Sequence, residues 1–124
     1  MIKVVLWDFF GVINIDGKLN NDVLDFIKSN KDNYKFAILS ASNIDLRPWL
    51  EENEILDLFS LVQITSELNL SKTDPNFYIK ALEKLNVKAN EALFVDDIQS
   101  YLDVASKLGI KTELYTGQRL ENLL

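Results

Sequence analysis

The sequence contains no cysteine and no histidine, and these two absences exclude several kinds of catalysis. Without cysteine the chain has no disulfide, no thiolate nucleophile and no Cys-ligated zinc site. Without histidine it lacks the usual general base and the commonest metal ligand. Ser-His-Asp hydrolysis, cysteine-dependent phosphatase chemistry and histidine phosphotransfer are therefore excluded within this chain. Any catalysis must use carboxylates, lysines, hydroxyls or a hard metal ion.

The chain also lacks a long apolar run and an excess of positive charge. The apolar run near its N-terminus is too short for a signal-peptide core or a membrane span, and no other run approaches about 18 residues. We therefore expect a cytoplasmic protein with no membrane partner. The formal net charge of −6 argues against non-specific nucleic-acid binding, because phosphate backbones attract Lys and Arg. A small anionic substrate is compatible with this charge, since local groups decide its binding.

The 124 residues are 48% hydrophobic and 26% charged, which is typical of a globular chain, and we predict a single domain over residues 1–124. Short apolar runs alternate with helical patterns along the whole chain. Several runs are continuously apolar, as expected for strands covered on both faces of a parallel sheet. The pattern predicts a three-layer, Rossmann-like α/β fold with a five-stranded parallel sheet. The predicted strands cover residues 2–7, 35–39, 61–65, 91–95 and 111–115.

Helix signals fill the intervals between these runs. Asp74 is the predicted cap of one helix and Pro75 suits its first position. Pro48 belongs in the first turn of an earlier helix, and Gly109 is the expected stop of a later one. The predicted helices cover residues 21–29, about 45–57, 75–85, about 98–108 and 117–124.

Polar residues follow the predicted strands at the edge where such folds bind ligands. The first strand ends on Asp8, the second on Ser40 and the fourth on Asp96–Asp97, while Lys72 follows the third. Three carboxylates on one edge would repel one another, and a hard divalent cation relieves that repulsion. Mg²⁺ suits an all-oxygen site that engages a phosphate. A hydroxyl and an ammonium group can then hold the remaining phosphate oxygens.

Four segments carry a family resemblance: WDFFGVI, FAILSAS, LSKTDPNFY and ALFVDDIQSYLDVASKLGIKT. In this order, and covering most of the chain, they resemble the four motifs of the haloacid dehalogenase-like (HAD) superfamily. Each motif alone is weak, whereas the ordered set on matching strand ends is specific. The resemblance implies a Mg²⁺-dependent hydrolase of the phosphatase type, acting on a phosphorylated small molecule or macromolecule.

The resemblance also implies a role for each site residue. Asp8 would be the nucleophile that forms an aspartyl-phosphate. Ser40, with Ala41 beside it, would bind the phosphoryl group, and Lys72 would neutralise charge around nucleophile and phosphate. The metal ligands would be Asp8, Asp96 and the backbone carbonyl of Phe10, while Asp97 would support the metal-bound water shell.

Phe10 is where the sequence departs from the family pattern. Phosphatases of this family usually carry a second Asp at this position, which protonates the leaving group and later activates water. Phenylalanine can do neither, and general acid–base help is worth about 10²–10⁴-fold. We therefore expect weakened ester hydrolysis, although the main-chain metal ligand survives. A core-filling Phe10 in a degenerate site is an equally good interpretation.

The intervals between the motifs leave no room for a cap domain, because each holds only about one helix. Residues 12–19 instead predict a small hairpin with an Asp-Gly turn, beside the site. An open site suits a macromolecular substrate or closure by a second subunit of a homo-oligomer.

Three alternatives stay open at this point. A degenerate HAD domain would bind Mg²⁺, a phosphorylated ligand or a protein partner without turnover. Dehalogenases place an aromatic residue at position 10, but they lack the acidic pair found here. Receiver domains share the residue types but not their order, since their acidic pair follows the first strand. Single residues also have simpler interpretations: Asp8 or Asp96 as a helix cap, and Ser42 in place of Ser40.

Overall fold

The computed structural model describes residues 1–124, and its strands follow the predicted runs closely. Five of seven strands form one parallel sheet in the spatial order β5-β4-β1-β6-β7, and the other two form a hairpin. In chain order the strands are β1 (Val4–Trp7), β2 (Asn14–Ile15), β3 (Lys18–Leu19), β4 (Lys35–Ser40), β5 (Leu61–Ile64), β6 (Ala92–Asp96) and β7 (Lys111–Leu114).

Helices cover both faces of this sheet. They are α1 (Asn21–Asn30), α2 (Arg47–Glu52), α3 (Thr65–Leu68), α4 (Pro75–Leu85) and α5 (Gln99–Lys107), with 3-10 turns at Leu56–Leu58 and Ala89–Glu91. None of these helices is long and apolar enough to cross a membrane.

The strand pleat divides the core into two layers. In β1, Val5 and Trp7 belong to a cluster of 17 buried residues that α1 and α2 cover. Val4 and Leu6 belong to a second cluster of 14 buried residues that α4 and α5 cover. Because alternate side chains point to opposite faces, a strand covered on both sides must be apolar throughout. This confirms the three-layer α/β fold and explains the continuous apolar runs.

The central position of β1 creates the switch point of the sheet. From β1 the chain moves outward to β4 and β5, and then returns to β6 on the other side. Crevices form where successive connections diverge in this way, outside the carboxyl ends of the strands. Asp8 follows β1 directly and therefore lies at this crevice.

Local start and stop signals are confirmed. The Asp74 side chain accepts a hydrogen bond of 2.9 Å from the backbone N–H of Asn76, and Pro75 begins α4. Pro48 lies in the first turn of α2. Gly109 has a φ of +96° after α5, a conformation that favours glycine at a helix end.

The predicted helix over 45–57 is wrong in length. The helix α2 ends at Glu52, and Glu54 has a φ of +58°. The Asn53 side chain and backbone N–H both donate to the carbonyl of Trp49, and the next N–H, that of Glu54, turns to Glu51 instead of continuing the helix. Asn side chains compete in this way with helical hydrogen bonds.

The predicted terminal helix over 117–124 is wrong, because these residues form turns and irregular chain. The Gln118 side chain accepts a hydrogen bond from the backbone N–H of Thr116 and donates one to the carbonyl of Leu114. Gly117 has a φ of +84°, which a helix does not allow. Leu120 is nevertheless buried and anchors the segment to the core.

The predicted hairpin is confirmed. Its strands β2 and β3 pair antiparallel, and the Asp16–Gly17 turn between them has positive φ at both residues, +52° and +85°. Asp-Gly is a preferred pair for this turn type. The intervals between the motifs hold this hairpin and short helices, and no cap domain is inserted.

Candidate active site

A buried lysine lies at the centre of the site. The Nζ atom of Lys72 donates hydrogen bonds to Asp8 Oδ1 at 2.6 Å and to Asp96 Oδ2 at 2.9 Å. The side chains of Lys72 and Asp96 are fully buried, and that of Asp8 is 9% exposed. We call these three residues the site floor. One ammonium group thus serves two carboxylates, which leaves one negative charge for a proton or a cation to balance.

Backbone hydrogen bonds from the sheet hold the two carboxylates in place. The N–H of Asp8 donates to the carbonyl of Val95, which extends the β1–β6 pairing past the end of β1. Asp96 is the last residue of β6, and its Oδ1 accepts a hydrogen bond of 2.9 Å from the N–H of Ile98. This turn at Ile98 opens α5 and fixes the Asp96 carboxylate toward the lysine.

Burial shifts the protonation of both carboxylates. Removal from water raises the pKa of Asp8 to about 7, against the opposing effect of the Lys72 ammonium. Burial also raises the pKa of Asp96, and Lys72 again opposes the rise. The floor therefore binds protons near neutral pH when no cation is present, because desolvation disfavours the charged forms.

A third carboxylate completes an acidic cluster. Oxygen atoms of Asp8, Asp96 and Asp97 lie within 4.8 Å of one another. Asp97 is exposed, and its carboxylate touches the backbone at Gly11, where a Cβ atom would collide with it. All donors are carboxylate oxygens on an open side of the sheet, so the cluster fits a hard cation such as Mg²⁺ that keeps part of its water.

Ser40 lies where the sequence predicts it, at the carboxyl end of β4 beside β1. It is buried, and its Oγ atom is one of three buried side-chain polar atoms with no hydrogen-bond partner. Buried polar groups are nearly always paired, so this hydroxyl has capacity for a ligand oxygen. Ala41 follows it and is exposed. The rival Ser42 is engaged with the backbone of Ile44 through its hydroxyl.

Phe10 does not fill the core, so that interpretation is wrong. Its side chain is 45% exposed at the open edge of the sheet, whereas Phe9 is buried. The two rings meet edge to face, with centroids 4.8 Å apart. Just after β1, the Phe9 side chain points into the core and that of Phe10 points to the solvent.

Three aromatic residues lie close to Lys72. Its Nζ lies 5.4 Å from the ring centroid of Phe94 and 5.1 Å from that of Tyr101. The buried hydroxyl of Tyr78 donates a hydrogen bond of 2.7 Å to the carbonyl of Lys72. Ring faces attract cations, so Phe94 and Tyr101 favour the buried ammonium group in addition to the two carboxylates.

A cleft of about 570 Å³ opens beside Lys72 and Tyr101. Its other lining residues are mainly uncharged and polar, among them Ser42, Asn43, Thr65 and Asn69. A larger cleft of about 690 Å³ lies between α1 and the C-terminal residues and includes none of the predicted site residues. The site therefore adjoins the smaller cleft.

The structure thus brings Asp8, Lys72, Asp96 and Asp97 together, and it places Ser40 and Ala41 at the carboxyl end of the neighbouring strand β4. Sequence reasoning missed Gly11, Tyr78 and Tyr101. Gly11 carried a signal, since a glycine just past a strand often marks a close backbone approach. The two tyrosines carried none, because both lie on helices whose packing against Lys72 depends on the whole fold.

Comparison with known proteins agrees with this geometry. Residues 2–109 match the sequence profile of the haloacid dehalogenase-like hydrolases. The chain is 30% identical over 93 residues to a phosphorylated carbohydrates phosphatase from Thermotoga maritima, covering 73% of this chain and 41% of that protein. It is 31% identical over 104 residues to enolase-phosphatase E1 from Saccharomyces cerevisiae, covering 75% of this chain and 44% of that protein. The chain spans less than half the length of these relatives.

Solved structures show the same architecture. A HAD family enzyme from Bacteroides thetaiotaomicron, in complex with magnesium and inorganic phosphate, superposes with a TM-score of 0.86 at 18% identity, and the match covers 100% of both chains. At this identity the likeness establishes the fold. Together with the matched profile, it shows that the chain belongs to the haloacid dehalogenase-like hydrolases.

Proposed function

We propose that this hydrolase is a Mg²⁺-dependent phosphatase that acts through an aspartyl-phosphate on Asp8. The observation that carries the proposal is the burial of Lys72 between Asp8 and Asp96, next to the Asp97 carboxylate. Desolvating charges is costly, and apolar residues would pack such a position at least as well. Charged groups with shifted pKa values in a crevice are typical of functional sites.

In the proposed reaction, an Asp8 carboxylate oxygen attacks phosphorus. The new O–P bond forms while the bond to the leaving oxygen breaks, and the leaving group departs with the electron pair. Water then attacks the phosphorus of the aspartyl-phosphate, which releases inorganic phosphate and a proton and restores the carboxylate. Lys72 balances charge at Asp8 throughout. The free Ser40 hydroxyl donates to a phosphoryl oxygen, with Ala41 beside it.

Mg²⁺ would be held by Asp8, Asp96 and the backbone carbonyl of Phe10, with Asp97 supporting its water shell. When bound, the ion supplies positive charge that stabilises the negative phosphoryl oxygens. The oxygen-only donor set within 4.8 Å supports this assignment.

The relatives support a phosphorylated substrate. Two of them are named as phosphatases, one for phosphorylated carbohydrates and one as an enolase-phosphatase. A second candidate function is that of a degenerate domain that binds Mg²⁺ and a phosphorylated ligand without turnover. The exposed Phe10 side chain favours it, because phenylalanine cannot supply a proton to the leaving group.

The test is Mg²⁺-dependent hydrolysis of 4-nitrophenyl phosphate, whose leaving group needs little protonation. We expect turnover that Asp8→Asn abolishes and chelation removes. Asp32→Asn is the matched control, since Asp32 is exposed in the turn before β4, at the opposite end of that strand from Ser40. Absence of turnover together with Mg²⁺-dependent binding of beryllofluoride would favour the degenerate domain. Absence of both would contradict the phosphate site itself.

A further inference from the structure

Exposed apolar side chains follow three adjacent central strands. Phe10 follows β1 and is 45% exposed, Ile44 follows β4 and is 56% exposed, and Ile98 follows β6 and is 44% exposed. Since β4, β1 and β6 are neighbours in the sheet, all three residues follow strands on the same edge of the sheet as Asp8. We call these three residues the site mouth. Grouped exposed apolar residues commonly mark a binding surface.

The Phe10 ring is mounted rigidly. It contacts Phe9 edge to face at 4.8 Å, and Phe9 in turn contacts Trp49 edge to face at 5.1 Å. Phe9 is 1% exposed, so the Phe10 ring packs against a buried side chain. Phe10 is also the only aromatic residue among the exposed large hydrophobic residues of the chain. A fixed, exposed ring offers an aromatic group edge-to-face or stacked contact with little loss of side-chain entropy.

Its place in the chain puts Phe10 next to the reacting atoms. Asp8, two residues earlier, bonds to Lys72, and Gly11, one residue later, touches the Asp97 carboxylate. Phe10 therefore lies between a member of the acidic cluster, Asp8, and a glycine that packs against another member, Asp97. A group attached to a phosphate bound at Asp8 would leave the crevice past this ring.

The mouth offers no free acid to protonate a leaving oxygen. The chain has no histidine or cysteine, and Lys72 is held by two carboxylates. Asp8, Asp96 and Asp97 belong to the acidic cluster and must be ionised when a cation is bound. The one remaining proton donor nearby is the Tyr101 hydroxyl, on a ring 5.1 Å from Lys72 Nζ.

Arg47, three residues after Ile44, is not free to bind a second anionic group. Arg47, on α2, donates to Glu67 at 3.0 and 3.1 Å and to Asp45 at 2.8 Å. These hydrogen bonds occupy both terminal nitrogens of its guanidinium. A leaving group at the mouth therefore meets apolar surface rather than free positive charge.

We propose that the site takes aromatic acyl or aryl phosphates, in which the leaving oxygen departs as a stable anion and the ring packs on Phe10. The proposal rests on the phosphatase function proposed above and narrows its substrate. The Asp8 oxygen forms a bond to phosphorus, the P–O bond to the leaving oxygen breaks, and a carboxylate or phenolate leaves with the electron pair. No proton is needed at this step, so the missing acid does not limit the rate at which the aspartyl-phosphate forms. Water later cleaves the aspartyl-phosphate as described.

The experiment compares four phosphates with the full chain and Mg²⁺: benzoyl, acetyl, benzyl and glycerol 3-phosphate. Benzoyl and acetyl phosphate have leaving groups that are stable anions, whereas benzyl and glycerol phosphate need a proton. We expect kcat/KM to be highest for benzoyl phosphate, then acetyl, and lowest for the other two. Phe10→Asp should raise kcat/KM for benzyl phosphate by roughly 10²–10⁴-fold, because it adds an acid, and should lower kcat/KM for benzoyl phosphate, because it removes the ring contact.

A second variant tests the packing contact separately from the acid. Phe10→Ala should raise KM for benzoyl phosphate by roughly three- to tenfold, as expected for loss of one aromatic contact, and should raise KM for acetyl phosphate, which has no ring, by less. Faster turnover of glycerol phosphate than of benzoyl phosphate would overturn the proposal in favour of a hydroxylated substrate in the polar cleft. Loss of benzyl phosphate turnover in Tyr101→Phe, with benzoyl phosphate turnover intact, would overturn it by identifying Tyr101 as the acid. A dimeric parent that Phe10→Ala dissociates, with KM unchanged, would also overturn it, since the mouth would then be an interface between copies.

These outcomes are separable from failure of the proposed function. Asp8-dependent hydrolysis of any of the four phosphates upholds the phosphatase, whichever substrate is preferred. Equal kcat/KM for all four, still abolished by Asp8→Asn, contradicts the inference alone. No hydrolysis of any of them contradicts both.

Discussion

The floor and the mouth of the site are built in opposite ways. At the floor, Asp8, Lys72 and Asp96 are buried and satisfy one another. At the mouth, Phe10, Ile44 and Ile98 are exposed and have no polar function. The floor consists of buried charged groups, and the sheet holds the backbone of Asp8 and Asp96 in place. The mouth consists of apolar side chains on exposed loops.

This difference separates two tasks. The geometry of the floor is fixed by two central strands, which place Asp8 and Asp96, and by the buried loop that carries Lys72. The mouth can differ without disturbing the fold, since exposed loop residues contribute little to stability. We therefore expect changes at the floor to affect folding and chemistry together, and changes at the mouth to affect substrate choice.

The largest expected effect is that of Lys72→Met. It leaves two buried carboxylates facing each other, so the metal-free protein should lose about 3–5 kcal/mol in free energy of unfolding. Urea denaturation measures the loss, and saturating Mg²⁺ should recover part of it because a cation again separates the carboxylates. Lys80→Met, at an exposed position of α4, is the control and should change stability little. Equal losses in the two variants would contradict the paired floor.

The next largest effect is expected for Gly11→Ala. Gly11 follows Phe10 in the chain and packs against the Asp97 carboxylate. A Cβ at this position collides with the Asp97 carboxylate, whereas at Gly17, whose φ is also positive, it meets open space. Both variants should lose about 1 kcal/mol or more from backbone strain, since alanine disfavours positive φ. Only Gly11→Ala should also weaken Mg²⁺ binding, as measured by calorimetry. Equal Mg²⁺ affinity in the two variants would mean that Gly11 does not position Asp97.

The pH dependence of Mg²⁺ binding tests the charge state of the floor. Burial raises the pKa of Asp8 to about 7, so the metal-free site is protonated below that value and ionised above it. Protons compete with the metal below pH 7, and affinity should fall by up to about tenfold per pH unit for each proton displaced. Stability of the metal-free protein should change in the opposite direction. The raised pKa stabilises the fold at low pH, and this contribution is lost as the pH rises through about 7.

Titration calorimetry in two buffers of different ionisation enthalpy would detect the released protons directly. We expect proton release near pH 6 and little near pH 8. Proton release that does not vary with pH would contradict a raised pKa at Asp8.

The smallest effect is expected for Tyr78→Phe. It removes the hydroxyl that donates to the carbonyl of Lys72 and leaves that buried acceptor unpaired. The expected loss is about 1 kcal/mol in free energy of unfolding, with reduced turnover because the Lys72 loop loosens. Tyr34→Phe is the matched control, since Tyr34 is half-buried outside the site. If both variants behave alike, the Tyr78 hydroxyl does not hold the lysine.

Much of the fold could be predicted because its signals are local. The apolar runs predict strands to within about two residues, and Asp74–Pro75 and Asp16–Gly17 predict a helix start and a turn from neighbouring residues alone. The two errors, both in predicted helices, arose where side-chain hydrogen bonds to the backbone counteract the helical pattern of apolar residues. Asn53 forms a hydrogen bond with the nearby backbone where the predicted helix over 45–57 ends early. Gln118 does so where the predicted helix over 117–124 does not form.

The sequence by itself determined which residues meet at the site, because parallel strands place their carboxyl ends on one edge. Asp8, Ser40, Lys72 and the acidic pair could be assigned to that edge without coordinates. Only the tertiary structure decided how they meet. Asp8 and Lys72 are 64 residues apart in the chain, and the depth at which they pair depends on helices packed around them. The same holds for Phe10: its neighbour Phe9 fills the core, so the ring that departs from the family pattern faces outward, where it can touch a substrate.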